Sequence, residues 1–182
     1  LELRLHQEQI SPHFLYNTLD SIVWMAEGGN NRQVVEMTTD LSDFFRTVLS
    51  GGRDFITIEE EESHIRSYLK IQKIRYEDIL DYSIEIEPSI RCRIVLKMLL
   101  QPLVENAVVH GISKKETGGR IHLRVWRQDG DVRITVADTG AGMTEEQLTD
   151  IRNAVKERRT SKIGIGLGNI YKRVHILYEH GD

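Results

Sequence analysis

The chain is organised around residues 9–20, which read Gln9-Ile10-Ser11-Pro12-His13-Phe14-Leu15-Tyr16-Asn17-Thr18-Leu19-Asp20. In a helix, Gln9, His13 and Asn17 would lie four residues apart on one face. Pro12 has no N–H to donate, so we expect a kink just before His13 that opens its side chain to an incoming group. A histidine on the polar face of a bundle helix is the simpler interpretation of this stretch taken alone.

Composition limits the class of protein. The 182 residues suit one large or two small domains, and 40% hydrophobic with 29% charged residues is ordinary for a globular protein. The net charge of -4 argues against binding to nucleic acid or to a membrane surface. Cys92 is the single cysteine, so we expect no internal disulfide and a reducing compartment. No apolar run approaches about 18 residues, so neither a membrane-spanning helix nor a signal peptide is predicted.

Residues 1–52 are predicted to form a helical hairpin. The first helix runs to about Glu27, and because its pattern opens without a cap we expect it to continue upstream. A second helix follows the polar turn, from about Arg32 to Leu49. A hairpin of about fifty residues cannot bury both apolar faces alone. We therefore expect a homodimer whose two hairpins form a four-helix bundle.

Residues 53–182 are predicted to form an α/β sandwich with a mixed sheet, so the whole chain falls in the α+β class. Thr57 and Glu60 open its first helix as a capping box. The acidic run 59–62 lies at the positive end of that helix dipole, which indicates a helix start and not a metal site. The predicted order is a helix to about 78, a strand at 82–87, a helix at 93–109, a strand hairpin turning at Asp129-Gly130, a helix at 144–156 and a last helix at 167–180.

The first of three candidate site motifs is Asp138-Thr139-Gly140-Ala141-Gly142. Asp138 continues the inward register of its strand, so a carboxylate stands where an apolar residue belongs, and burying it is costly without a hydrogen-bond partner. Gly140 and Gly142 would let the backbone approach a flat ligand closely. A carboxylate that accepts from an exocyclic amine, as in adenine, would explain both features. A solvated turn after a strand is the alternative.

The second motif is Gly164-Ile165-Gly166-Leu167-Gly168-Asn169, at the start of the last helix. Backbone N–H groups at a helix start can cradle a phosphate, and the polar loop 158–162 before it adds cations. The motif is not a dinucleotide-binding fingerprint, because no strand leads directly into it. A mobile, solvated loop is the alternative.

The third motif is 101–111, with Asn106 and His110 in the predicted long helix. At helical spacing, Leu99, Leu103, Asn106 and His110 would share one face. Asn106 on a mostly apolar face is either a satisfied core amide or an oxygen ligand for a hard cation.

In this order and spacing, the three motifs resemble the N box (101–111) and the two glycine boxes (138–142 and 164–169) of the GHKL-type ATP-binding domain. Residues 9–20 closely resemble the phosphoacceptor box of the LytS/YesM-type sensor histidine kinases, which reads Q-I-x-P-H-F-L-x-N-x-L. The helix that carries Tyr68, Gln72, Arg75 and Tyr76 is similar to the connecting segment of that subfamily. The resemblance covers nearly the whole chain.

The resemblance implies that ATP binds in the α/β domain. Asp138 would accept from adenine, and Asn106 would hold Mg²⁺ together with the phosphate oxygens. The loop of the second glycine box would close over the triphosphate. The implied nucleotide-binding residues are Asn106, His110, Asp138, Gly140, Gly142, Gly164, Gly166 and Gly168.

The resemblance also implies phosphotransfer. As a neutral imidazole, His13 would attack the γ-phosphate, and Asn17 would orient the phosphoryl group or a hydrolytic water. The phosphoryl group would then pass to an aspartate of a response regulator receiver domain. Membrane attachment in the family comes from an upstream sensor region, so these residues would be the cytoplasmic portion of a bacterial plasma-membrane protein.

Several positions depart from the family pattern. Phe14 follows the phosphoacceptor where many histidine kinases have an acidic residue, so the base is unassigned, with Glu8 and Glu105 as candidates. Pro102 replaces the glutamate of hydrolytic GHKL enzymes, so fast ATP hydrolysis is not expected. Val109 replaces the subfamily's usual lysine, which removes a phosphate contact. The family domain continues with two more strands, so we expect a C-terminally truncated domain with an unpaired sheet edge.

Two other classes of protein stay open. One is a non-catalytic histidine-kinase-like dimerisation scaffold that binds nucleotide weakly, which Val109 and the missing strands favour. The other is a GHKL ATPase whose nucleotide cycle drives a conformational change, which Pro102 disfavours. The kinase interpretation applies to the parent protein, and it leaves open whether residues 1–182 are active by themselves.

Overall fold

The computed structural model describes residues 12–49, 53–76, 79–156 and 165–178. Helices come first and a mixed sheet follows, which confirms the predicted fold class. None of the helices in these ranges is long and apolar enough to span a membrane. The elements are α1 Pro12–Glu27, α2 Asn31–Val48, β1 Phe55–Thr57, α3 Ile58–Arg75, β2 Leu80–Ile86, β3 Ile94–Leu96, α4 Gln101–Asn106, β4 Gly119–Gln128, β5 Asp131–Asp138, α5 Glu145–Lys156 and α6 Ile165–Tyr178.

The helices α1 and α2 form the predicted hairpin. Asn30 caps α2 by accepting from the backbone N–H of Gln33 at 3.4 Å. The predicted kink before His13 depends on residues 9–11, which lie outside the described ranges. The buried side chains of the two helices are Phe14, Thr18, Met37, Leu41 and Phe44.

The helix α3 packs against both the hairpin and the sheet. Its predicted capping box is present, because Thr57 Oγ1 accepts from Glu60 N at 3.1 Å and Glu60 Oε2 accepts from Thr57 N at 2.8 Å. The ring of Phe14 packs against Phe44 and Tyr68, with centroids 5.0 and 5.1 Å apart. The hairpin and the α/β part of the chain therefore share one buried apolar cluster.

The main sheet has the strand order β2-β4-β5. Strand β2 runs parallel to β4, and β4 runs antiparallel to β5, so the sheet is mixed, as predicted. The hairpin turn falls at Asp129 (φ 54) and Gly130 (φ 96), which take the left-handed conformation that such a turn requires. Among the described residues β5 is an edge strand. Its partner β4 turns the side chains of Ile121, Leu123 and Val125 into the core.

The predicted helix over 93–109 is wrong in its first half. Ile94–Leu96 forms β3, which pairs antiparallel with β1 as a second, two-stranded sheet that the sequence analysis missed. Met98 then has φ 60, a left-handed conformation incompatible with a helix. The helix α4 begins only at Gln101 and continues as a π-helical segment over Ala107–Ile112.

His64 of α3 is buried where this helix meets the hairpin. Its ring stacks on Phe44, with centroids 4.5 Å apart and an interplanar angle of 23°. Burial lowers the pKa of His64 to about 4; the Phe44 carbonyl opposes this and the Lys97 ammonium reinforces it. The ring is therefore neutral near pH 7, and charging it within this contact costs free energy of folding.

We predict that acid weakens the fold through His64. Because the pKa of His64 falls from 6.5 to about 4 on folding, its contribution to stability is complete above pH 6.5 and is lost as the pH falls toward 4. Between about pH 7.5 and about pH 5, urea unfolding of His64→Phe should lose about 2 kcal/mol less than that of the wild type. The comparison is a difference because the buried Glu61, whose pKa is raised to about 7, acts in the opposite direction in both proteins. His13→Gln, which changes an exposed histidine, should keep the wild-type loss. Equal losses in all three proteins would contradict the prediction.

Candidate functional site

The segment after α4 and the loop after β5 meet in one site. Ala141 N donates to the carbonyl oxygen of Gly111 at 3.0 Å. Gly140 N donates to Asp138 Oδ1 at 2.9 Å. The structure therefore brings together the predicted N box and the first glycine box, which are separated by 26 residues between the end of one motif and the start of the next.

Gly111 and Gly140 approach each other too closely for any side chain. A Cβ on Gly140 would lie 2.3 Å from the carbonyl carbon of Gly111 and 2.5 Å from its oxygen. A Cβ on Gly111 would lie 2.6 Å from Asp138 Oδ1. The two backbones thus form a closely packed floor beside the carboxylate. Gly142 has φ 70, and a Cβ built on it would meet no atom within 4 Å.

Asp138 holds the predicted register but not the predicted burial. It pairs with Ile121 across the sheet and so faces the side on which the core lies. Its side chain is nevertheless exposed, because β5 is the edge strand of the described sheet and nothing in the described ranges covers this end. The expectation of a carboxylate buried in the core is wrong. The exposed carboxylate is instead accessible to a ligand.

Asn106 and His110 lie on either side of a change in helix type. Asn106 ends α4 and is half-buried, whereas His110 is exposed on the π-helical segment. The predicted single face does not form, because Leu99 precedes the helix and the wider π turn breaks the 3.6-residue period before His110. Such π segments occur often at functional sites. Burial also raises the pKa of Glu105, next to Asn106.

The second glycine box is helical where the structure describes it. Gly166 and Gly168 lie in α6, which begins two residues before the predicted start at Leu167, whereas the resemblance implies a loop here. Gly164 and the polar loop 158–162 lie outside the described ranges. A Cβ on Gly166 would make an ordinary contact of 3.6 Å with Pro102 Cβ, so the start of α6 lies beside the first turn of α4. The second glycine box is therefore next to the N box.

His13 and Asn17 form a separate pair on α1. The amide nitrogen Nδ2 of Asn17 lies 2.9 Å from His13 Nδ1 and 3.0 Å from His13 Nε2, so it can donate to whichever ring nitrogen is unprotonated. The ring of His13 is exposed, while the neighbouring Phe14 is buried. No hydrogen bond within the described parts of the chain joins this pair to Asn106 or Asp138.

Residues 1–80 match the family model described as histidine kinase. Residues 93–181 match the model described as histidine kinase-, DNA gyrase B-, and HSP90-like ATPase. The chain belongs to the sensor histidine kinases. The predicted resemblance is thereby confirmed, and the second model implies an ATP-binding fold.

Three relatives agree with this assignment. The chain is 34% identical over 177 residues to sensor histidine kinase YesM of Bacillus subtilis, covering 97% of this chain and 29% of that protein. It is 30% identical over 178 residues to sensor protein LytS of Bacillus cereus, covering 97% of this chain and 30% of that protein. It is 29% identical over 178 residues to sensor protein kinase HptS of Staphylococcus aureus, covering 98% of this chain and 34% of that protein. The chain thus spans about a third of the length of these kinases.

Two buried carboxylates in α3 were not predicted from the sequence. The run 59–62 was predicted to be a helix start, and Glu60 does cap the helix. Glu61 and Glu62, however, are only 0% and 4% exposed. Their signal in the sequence was their position on the same face as Ile65, Tyr68 and Leu69, which are buried core residues.

The close approach of the glycines generates a prediction on stability. Gly140→Ala would force its Cβ into the backbone of Gly111, so we expect it to destabilise the fold by about 1–3 kcal/mol or more. The matched variant Gly166→Ala has room for its Cβ and favours a helix, so it should leave stability unchanged or raise it by about 0.5–1 kcal/mol. Thermal unfolding of both variants measures this difference. Equal melting temperatures would contradict it.

Proposed function

We propose that this chain is the phosphoacceptor and ATP-binding portion of a sensor histidine kinase, in which ATP phosphorylates His13. The observation that carries the proposal is the presence, on one chain of this family, of an exposed histidine and a closely packed pair of glycines beside an exposed carboxylate. The phosphoryl group would pass to an aspartate of a response regulator receiver domain. The division into a hairpin of residues 1–52 and an ATP-binding domain of 53–182 is part of this proposal.

The nucleotide would bind where the two glycine boxes flank the N box. The exposed carboxylate of Asp138 can accept from the exocyclic amine of adenine. Gly142, where a Cβ would meet no atom within 4 Å, leaves space for the ring, and the Gly111–Gly140 contact would lie beside it. The N-terminal end of α6, with Gly164, Gly166 and Gly168, would direct its N–H groups and its positive dipole end at the phosphates. Asn106 and His110 would line the phosphate side.

The residues around Asn106 could hold a magnesium ion only together with phosphate oxygens of the nucleotide. No group of three His, Cys, Asp or Glu side chains within the described ranges could hold a metal ion. The amide oxygen of Asn106 is a ligand of the kind that Mg²⁺ accepts alongside phosphate oxygens and water. Bound there, Mg²⁺ would neutralise charge on the β- and γ-phosphates.

The phosphotransfer step assigns separate roles to the two residues on α1. The unprotonated ring nitrogen of His13 forms a bond to the γ-phosphorus as the bond to the bridging oxygen of ADP breaks. Asn17 can donate to that nitrogen beforehand and to a phosphoryl oxygen afterwards. The proton of the other ring nitrogen needs an acceptor, and Glu105, whose pKa burial raises, is the candidate within the described ranges.

The outer face of α1 supports the proposed homodimer. Tyr16, Leu19, Val23 and Trp24 expose large apolar side chains, Trp24 to 80%. A contiguous apolar helix face that no described residue of this chain covers suits a second hairpin in a four-helix bundle. In the full-length protein these residues would be cytoplasmic, with membrane attachment through an upstream sensor region.

The first test is incubation with γ-labelled ATP and Mg²⁺. We expect acid-labile, base-stable label on the wild type, and we expect no label on His13→Gln, which lacks the acceptor, or on Asn106→Ala, which lacks the proposed metal ligand. His122→Gln, a histidine on the opposite face of the sheet, is the matched control and should keep the wild-type label. Label that survives in His13→Gln would contradict the assignment of the acceptor.

A second test addresses the adenine contact. Asp138→Asn places an amide donor against the exocyclic amine of adenine, so we expect affinity for ATP to fall about tenfold or more while affinity for GTP does not fall. Asp131→Asn, at the other end of β5, is the control and should preserve the ratio of the two affinities. Competition against a fluorescent nucleotide measures both constants. An unchanged ratio in Asp138→Asn would remove this contact from the proposal.

A nucleotide-binding scaffold is the second candidate function. It is favoured by Val109, which is exposed beside His110 where the subfamily usually has a lysine. Nucleotide binding without label on any protein would support the scaffold over the kinase.

A further inference from the structure

Glu61 is a fully buried carboxylate that the proposed reaction does not use. Its Oε1 accepts from Leu100 N at 2.8 Å and its Oε2 accepts from Met98 N at 3.0 Å. Both amides belong to the turn between β3 and α4, and α4 begins at the residue after Leu100. Burial raises the pKa of Glu61 to about 7, against the opposing effect of these two donors and of the Arg173 guanidinium.

The turn that Glu61 holds is strained and is also held by α6. Met98 has φ 60, which is costly for a residue with a side chain and persists only where the surroundings support it. Arg173 of α6 donates from Nη2 to the carbonyl oxygen of Lys97 at 2.7 Å. Hydrogen bonds from two different helices, α3 and α6, therefore meet on the backbone of Lys97, Met98 and Leu100.

This turn determines where α4 starts. The helix α4 is short, so a displacement at Leu100 would be carried directly to Asn106 at its other end. The first turn of α4 also lies beside Gly166, where α6 begins. We propose that Glu61 is a positioning residue for the nucleotide site, because its carboxylate fixes the start of α4 and so places Asn106 against α6.

The chemistry of the contact suits this role better than a role in stability alone. A buried carboxylate costs free energy, and an apolar residue of similar volume is often more stabilising. The neighbouring Glu62, which is equally buried, satisfies its charge with Arg66 and Arg91 at 2.7 Å each. Both carboxylate oxygens of Glu61 instead accept from backbone N–H groups, which fixes the position of the turn between β3 and α4.

The inference rests on the proposed function, since it assigns to Glu61 the alignment of a nucleotide site. Glu61→Gln and Glu62→Gln are matched variants: adjacent, isosteric and buried in the same helix. Glutamine offers one acceptor oxygen, so in Glu61→Gln one of the two amides of the turn meets an NH₂ donor. In Glu62→Gln only the arginine pairs change.

The test measures ADP binding by calorimetry and backbone amide resonances by NMR, at a temperature where each variant is folded. We expect Glu61→Gln to weaken ADP binding about tenfold and to shift the amide resonances of Met98, Leu100 and Asn106. We expect Glu62→Gln to bind ADP within about twofold of the wild type, even if it melts earlier, because a lost ion pair alone does not reach the site.

The outcomes separate this inference from the proposed function. Wild-type affinity for ADP in folded Glu61→Gln would overturn the positioning role and leave the proposed function intact. No ADP binding by the wild type would overturn the proposed function, and this inference with it. If Glu61→Gln does not fold, Arg173→Met decides, because it releases the same turn from α6: weaker ADP binding supports the role and unchanged binding overturns it.

Discussion

The ring of Phe14 packs between Phe44 and Tyr68, and this contact joins the helix of His13 to the α/β part of the chain. Because consecutive residues of α1 point in different directions, burying Phe14 leaves His13 exposed beside Asn17. The residue that follows the proposed acceptor therefore anchors α1 to the rest of the chain. This gives a structural reason for an aromatic residue at a position where an acidic side chain would have to be buried.

The α/β part depends on a second constraint, the approach of two backbones at Gly111 and Gly140. The hydrogen bond from Ala141 N to the Gly111 carbonyl holds the end of the N-box segment onto the loop after β5. The same approach sets Asp138 beside that segment. Two motifs that are distant in the chain thus become one site through glycines that no other residue can replace without moving the backbone.

The sequence predicted those parts of the fold that local chemistry determines. The capping box at Thr57, the strand hairpin with its turn at Asp129-Gly130 and the helix that starts near Thr144 all depend on neighbouring residues, and all are present. The strand Ile94–Leu96 was missed because a short apolar run suits a helix and a strand equally. What decides between them is its partner β1, nearly forty residues earlier.

The partners of the buried polar residues of α3 could not be predicted from the sequence for a related reason. Glu61, Glu62 and His64 sit within one helical turn, and each meets the cost of burial differently. Glu61 accepts two amides of a distant turn, Glu62 pairs with two arginines, and His64 stays neutral against Phe44. No local pattern distinguishes these environments, because each partner comes from another element. Of these contacts, the His64–Phe44 stack joins α3 to the hairpin, whereas Glu61 and the Glu62–Arg91 pair hold α3 to the rest of the α/β part. The helix α3 therefore connects the two parts through different side chains of one turn.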